Sequence, residues 1–210
     1  MSDSKEVSTL YIIDTTSKND PVILSLTKFL KPIYGIYFND GFIYLSGSGV
    51  FYIIKLNNPS KPKIISELKF DGWVNDILIR DDIAFMVGNT GLTVWDFSIK
   101  ASPVIINTIS IGGYGEKLFL YENQLFIFSN SEDDNNNFLV ADISDKKNYD
   151  LFSKISNIPI EGYPQNLRVF DGNLFLLSNE MIDYKAGEET TIANEVKSRF
   201  YILNLINKNK

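Results

Sequence analysis

A step of 41 residues constrains this chain more than any other feature. Gly91-Leu92-Thr93-Val94-Trp95-Asp96-Phe97-Ser98 reads as a short apolar strand closed by an acid and a turn, and relatives of it recur along the sequence. Tyr11-Ile12-Ile13-Asp14 and Tyr52-Ile53-Ile54-Lys55 precede it; Leu139-Val140-Ala141-Asp142 and Tyr201-Ile202-Leu203-Asn204 follow it. From position 14 to 55 is 41 residues, and from 55 to 96 is 41 again. Pro21, Pro62 and Pro103 keep the same step, each opening a second apolar run. Hairpin-like segments centred on Asp40-Gly41, Asp81-Asp82, Glu122-Asn123 and Asp171-Gly172 align as well. Three kinds of landmark on one step near forty residues define an array of repeated supersecondary units.

The content of one unit narrows the kind of array. In the unit at 34–70 the apolar runs are 34–38, 42–46, 50–56 and 62–70, separated by Asn, Asp, Gly, Ser and Pro. Such runs, rich in β-branched and aromatic residues and bounded by turn formers, read as strands. No window sustains the three-and-four apolar spacing of a helix. Asn39-Asp40-Gly41 suits a tight antiparallel hairpin, and the connections are too short for crossover helices. Phe42-Ile43-Tyr44-Leu45, Leu125-Phe126-Ile127-Phe128 and Leu174-Phe175-Leu176-Leu177 lack the polar alternation of a sheet with one wet face. Both faces must be covered, and neighbouring copies of the same sheet are the available cover. Four-stranded sheets stacked around an axis form a β-propeller. A large β-sandwich would instead show one polar face per strand and no fixed step.

The expected architecture is therefore all-β: a single domain over 1–210 of about four to five four-stranded antiparallel blades. The units fall at 8–30 (partial), 34–70, 75–111, 116–158 and 165–206, the last with an insertion at 179–198. Seventeen strands result, which leaves open a ring of four or five blades, a segment of a larger ring, or completion by a second copy. An unpaired apolar edge invites self-association.

Composition excludes several function classes. A net charge of −6 argues against a nucleic-acid groove, which needs clustered Lys and Arg. No apolar run reaches the length of a membrane span. The opening Met-Ser-Asp-Ser-Lys-Glu-Val has no basic region before an apolar core, so as written the chain shows no secretory signal and reads as cytoplasmic. With no cysteine and no histidine, Ser-His-Asp and Cys-His catalysis and imidazole- or thiolate-bound metals are excluded.

Gly91-Leu92-Thr93-Val94-Trp95-Asp96-Phe97-Ser98 and the run from Val50-Phe51-Tyr52-Ile53-Ile54-Lys55 through Asn58-Pro59-Ser60-Lys61-Pro62 resemble the unit of LVIVD-repeat proteins. Lys55 replaces the usual acid, and Val140-Ala141-Asp142-Ile143-Ser144 lacks the following proline. The resemblance implies a propeller, often in surface or secreted proteins of bacteria and archaea, and implies no shared catalytic residue.

Two insertions break the period. Asn130-Ser131-Glu132-Asp133-Asp134-Asn135-Asn136-Asn137 offers oxygens that could hold calcium, but a central Gly and a closing Glu are missing, which favours a solvated hairpin tip. The second, 179–198, mixes Glu180, Asp183, Glu188, Glu189 and Glu195 with Lys185 and Lys197, and reads as a long surface loop. The periodic acids Asp14, Asp96 and Asp142 are expected to be turn formers, bonding nearby backbone amides. Trp95 is expected in the core.

The starts of the innermost strands, Tyr34, Asn75 or Asp76, Glu116 and Gln165, fall at equivalent places and should ring one mouth of the channel. Trp73, Tyr114 and Tyr163 lie beside them, giving a polar and aromatic rim suited to a peptide, a glycan or another domain. The sequence thus favours a non-enzymatic scaffold that binds another protein or a surface polymer, with no cofactor. The alternative is a carboxylate-based, glycan-directed hydrolase or lyase at the mouth. It needs two facing carboxylates, and Glu116 is the one mouth residue of that kind.

Overall fold

In a computed structural model, the described residues are 8–130, 137–145, 156–171, 173–186 and 191–204. At 137, 156, 157, 159, 163–165, 180–186, 191–197, 203 and 204 the backbone alone is described. Two compact units divide the chain, Met1–Leu118 and Phe119–Lys210.

The first unit opens with a two-stranded sheet of β1 (Ser8–Asp14) and β2 (Val22–Phe29). A sheet of order β3-β4-β5-β6-β7-β8 follows: β3 (Ile33–Asn39), β4 (Phe42–Lys55), β5 (Lys63–Arg80), β6 (Ile83–Gly88), β7 (Gly91–Asp96) and β8 (Val104–Ile109). It is two four-stranded meanders in one ladder. Fully extended, the 14 residues of β4 would span roughly 46 Å. Yet the amide of Leu56 donates to the carbonyl of Gly41 at 2.8 Å, so β4 doubles back on itself. Its first arm pairs with β3 and its second with β5. β5 then runs on through Gly72, at φ 106°, and its far half pairs with β6.

The second unit carries a sheet of order β12-β11-β10-β9, with β9 (Tyr114–Tyr121) entering from the first unit. β10 is Gln124–Asn130, β11 Asn137–Asp142 and β12 Ser156–Pro159. A three-stranded sheet of β13 (Tyr163–Phe170), β14 (Asn173–Ala186) and β15 (Thr191–Asn204) completes it. β14 and β15 stay in register from Asn173↔Asn204 to Ala186↔Thr191. The 179–198 insertion is thus not a loop: its flanks extend the two strands as one hairpin. Met181, Ile182, Tyr184, Ile192 and Val196 are strand formers that the 41-residue pattern had no place for. The calcium-type cluster at 131–136 lies outside the described residues.

The repeat is written in backbone chemistry. The Gly41–Leu56 bond recurs as Phe97 N to Asp82 O at 2.7 Å and Ile143 N to Asn123 O at 2.8 Å. Asp40, Asp81, Glu122 and Asp171 share a positive φ of 46–54° at the hairpin turns. Asp40-Gly41, with both residues at positive φ, has the pattern of the tight turn that matches strand twist. The periodic acids do form turns: Asp14 accepts from Thr16 N at 2.8 Å, Asp96 from Ser98 N at 2.7 Å and Asp142 from Ser144 N at 2.8 Å. The Thr16 amide and side chain hold the Asp14 carboxyl below the usual range, and the Ser98 side chain and amide do the same for Asp96.

β4 shows why its sequence does not alternate. Tyr44, Phe51 and Ile53 enter a cluster with Ile77 and Ile79 of β5 and Ala84 and Met86 of β6. The alternate residues Ile43, Leu45, Val50, Tyr52 and Ile54 enter another, against Leu10 and Ile12 of β1 and Phe29 of β2. One face therefore packs on the next meander of the same ladder and the other on the β1–β2 sheet. The second unit repeats the arrangement: Phe126 and Phe128 of β10 and Phe138 of β11 pack on Leu167, Leu174 and Leu176.

One polar atom stands out in this packing. The Tyr44 hydroxyl is buried without a hydrogen-bond partner among the described residues, and burial, with Asp82 and Asp40 nearby, pushes it up to about 12. Phe85, Phe126 and Phe175 hold the equivalent place in later units. Tyr44→Phe removes the desolvation cost while keeping the ring, so the variant is expected to gain about 1 kcal/mol in urea unfolding.

Candidate functional site

The starts of the inner strands are contiguous within the first unit. A Cβ added to Gly35, beside Tyr34, would lie 3.2 Å from the Asn75 carbonyl. Asn75 in turn donates from Nδ2 to the Gly115 carbonyl at 2.8 Å. Tyr34 of β3, Asn75 of β5 and Glu116 of β9 therefore follow one another at one end of the first unit. Tyr34 and Trp73 are exposed there, while Asn75, Tyr114 and Glu116 are half-buried. Tyr163 and Gln165 stand at the start of β13, but their side chains lie outside the described residues.

Trp73 is held from both sides. Its amide donates to Asn89 Oδ1 at 2.8 Å, its carbonyl accepts from Asn89 N at 3.3 Å, and it pairs in register with Ser48. The hairpin tips at 47–49 and 88–90 thus brace it. Gly88 must be glycine, because a Cβ there would meet the Trp73 carbonyl oxygen. Trp95 turns away from this end: its Nε1 donates to Thr93 Oγ1 at 3.1 Å and its ring packs against the Tyr44 cluster.

Two side chains that the sequence pattern did not single out, Asn89 and Glu161, and one that it offered as the alternative to Asn75, Asp76, matter here. Asn89, in the turn between β6 and β7, fixes Trp73. Asp76 is half-buried and accepts from Ile77 N and Leu118 N, each at 3.0 Å, so it ties β5 to β9. Burial pushes its carboxyl up, partly offset by the Leu118 amide, the Lys117 cation and the Ile77 amide. In the second unit Glu161 pairs with Arg199 at 2.6 Å, its amide donates to the Tyr201 hydroxyl at 3.0 Å, and its carbonyl accepts from Ser178 Oγ at 2.6 Å. Glu161 precedes β13 as Asp71 precedes Trp73, and that equivalence was the available signal. Among the described residues no helix is long and apolar enough to cross a membrane.

All-β composition, antiparallel four-stranded meanders and face-to-face packing at a 41-residue step define a β-propeller. A family model described as a beta propeller domain matches residues 39–201, and the chain belongs to that family. No curated protein matches it. Among solved structures it is similar to the N-terminal domain of Nup159, with a TM-score of 0.53 and 11% identity over 91% of this chain and 50% of that one. It is also similar to a chain in an S. cerevisiae complex of Dbp5 bound to Nup159, Gle1, IP6 and ADP. There the TM-score is 0.51 and identity 10%, over 89% of this chain and 48% of that one. The chain thus spans about half the length of the solved structures it matches.

Proposed function

We propose that this propeller is a non-enzymatic scaffold of the LVIVD-repeat kind, binding another protein or a surface polymer at the inner-strand end. The observation that carries the reading is the contiguous row Tyr34, Asn75 and Glu116, joined through Gly35, Asn75 and Gly115, with Trp73 braced and exposed beside it. Exposed aromatics on a rigid frame contribute contact area at small entropic cost, which suits binding. Tyr114, Tyr163 and Gln165 belong to the same row by sequence position. The turn acids Asp14, Asp96 and Asp142, each at the end of a Val-Ile-Val-Asp-like strand, support the LVIVD kinship. A hydrolytic role is disfavoured because Asp76, the acid beside Asn75 in this row, commits its two oxygens to backbone amides.

The test uses the immobilised chain and an extract of cells that make it. The wild type is expected to retain a protein or polysaccharide that the combined Tyr34→Ala, Trp73→Ala, Tyr163→Ala variant releases, with the variant's melting temperature close to that of the wild type. Retention of the same molecule by the folded triple variant would place binding elsewhere.

A further inference from the structure

The outer strands of the first unit differ in what guards their edges. β2, the first half of β5 and β8 hold one place in the repeat, at steps of 41 residues. Among the described residues each pairs with one neighbour there, β1, β4 and β7 in turn. An outward row of unpaired main-chain groups invites another strand, and charged side chains, lysine above all, are the common protection. Lys28 of β2 and Lys69 of β5 share one place; the third copy of that place is Ser110, just past β8. Lys63 and Glu67 of β5 likewise become Val104 and Thr108. No charged residue stands between Lys100 and Glu116, the longest such interval in the chain. All three strands carry a bulge at the same step, so the bulge does not set β8 apart.

β8 is also apolar where it is bare. Val104, Ile105 and Ile106 are 61%, 49% and 43% exposed, and Ile99 in the turn before them is exposed too. Val22 and Ile23 of β2 are equally bare, so the missing charge is what singles β8 out. The Thr108 amide donates to Asn107 Oδ1 at 2.8 Å, a local bond that a neighbouring strand's carbonyl can replace.

The missing charge also says what fits. The chain carries −6 overall, so two copies repel except where they meet without charge. β8 is such a place, and it complements itself. Laid antiparallel to its own copy about Ile106 and Asn107, it sets Val104 opposite Ile109 and Ile105 opposite Thr108. Such β-branched pairs favour a ladder.

We propose that β8 is a dimer edge: the β8 of a second copy adds antiparallel to it about a two-fold axis, joining two six-stranded ladders into one sheet. This pairing is independent of binding at the inner-strand end.

Sedimentation velocity of the 210-residue chain at rising concentration is expected to show a monomer passing to a dimer. Ser110→Lys, which restores the lysine of β2 and β5, should raise the dimer dissociation constant at least about tenfold, and so, separately, should Ile105→Lys. Both positions are exposed, so the variants should melt with the wild type. Ile202→Lys, on β15 at the end of the last sheet, is the control and should dimerise as the wild type does. A monomer at every concentration overturns the pairing and leaves the edge to a different partner. A dimer that neither Ser110→Lys nor Ile105→Lys weakens overturns it as well. Loss of the dimer in Ile202→Lys assigns the contact to β15 and overturns it too, and growth past the dimer overturns the two-fold arrangement.

Discussion

Phe97→Ala is expected to lose about 3–5 kcal/mol of unfolding free energy, the range for truncating a large aromatic in a packed core. Phe97 stands one residue beyond β7 and is fully buried. Its ring stacks on Tyr44 at 5.7 Å and lies 5.6 Å from Phe51 and, edge-on, 6.5 Å from Trp95. It thereby joins the last strand of one meander to the doubled-back strand of the meander before it. Its amide, bonded to the Asp82 carbonyl, fixes the backbone, so the vacated volume cannot be refilled by a shift of the chain. Leu56 holds the equivalent position one step earlier, and Phe97→Leu is expected to cost about 1–2 kcal/mol. Urea titration reads both: the midpoint should fall with the slope unchanged. A Phe97→Ala loss below about 1 kcal/mol would mean that the ring is not the joint between the two meanders.

Much of this fold was legible because it is local and periodic. The strands Ser8–Asp14 and Val22–Phe29, the hairpins at Asp40, Asp81, Glu122 and Asp171, and the turn acids Asp14, Asp96 and Asp142 each announce themselves within a few residues. The absence of polar alternation in Phe42-Ile43-Tyr44-Leu45 correctly implied cover on both faces, and its alternate side chains do enter two separate clusters. What stayed hidden depends on partners that only the fold brings near. Asp71-Gly72 has the look of a loop, yet the ladder runs through it because β5 has a partner on each half, β4 and then β6. Asn89 lies 16 residues from Trp73, and Leu118 lies 42 from Asp76. No local pattern encodes such pairs. The same holds for 179–198, whose strand formers gain a ladder only from each other. Of the candidate site, the sequence offers only the equivalence of Tyr34, Asn75 and Glu116 within the repeat; the hydrogen bond from Asn75 to Gly115 has no local signal.

Asp76 is where those hidden links carry the most energy. Asp76→Ala leaves the amides of Ile77 and Leu118 without their acceptor, and at about 1–3 kcal/mol for each unpaired group the expected loss is about 2–6 kcal/mol. Asp76→Asn keeps one carbonyl oxygen and should lose less. The two variants also differ from the wild type in how stability depends on pH. Burial raises the Asp76 carboxyl above 3.8, so the folded state holds its proton more tightly than the unfolded chain does. Its contribution is therefore complete below the unfolded value and is eroded as pH rises through the raised folded value. Asp76→Asn does not titrate, so the stability of wild type minus that of Asp76→Asn should shrink as pH climbs from below 3.8 through the raised folded value. Asp14 and Asp96, whose carboxyls are lowered, push the other way: their contribution is present above 3.8 and lost on acidification. Both proteins carry those two groups, so their effect cancels in the difference. Parallel curves for wild type and Asp76→Asn would show that burial does not govern this carboxyl. A neutral Asp76→Ala would show that the Leu118 amide finds another acceptor and that the tie from β5 to β9 lies elsewhere.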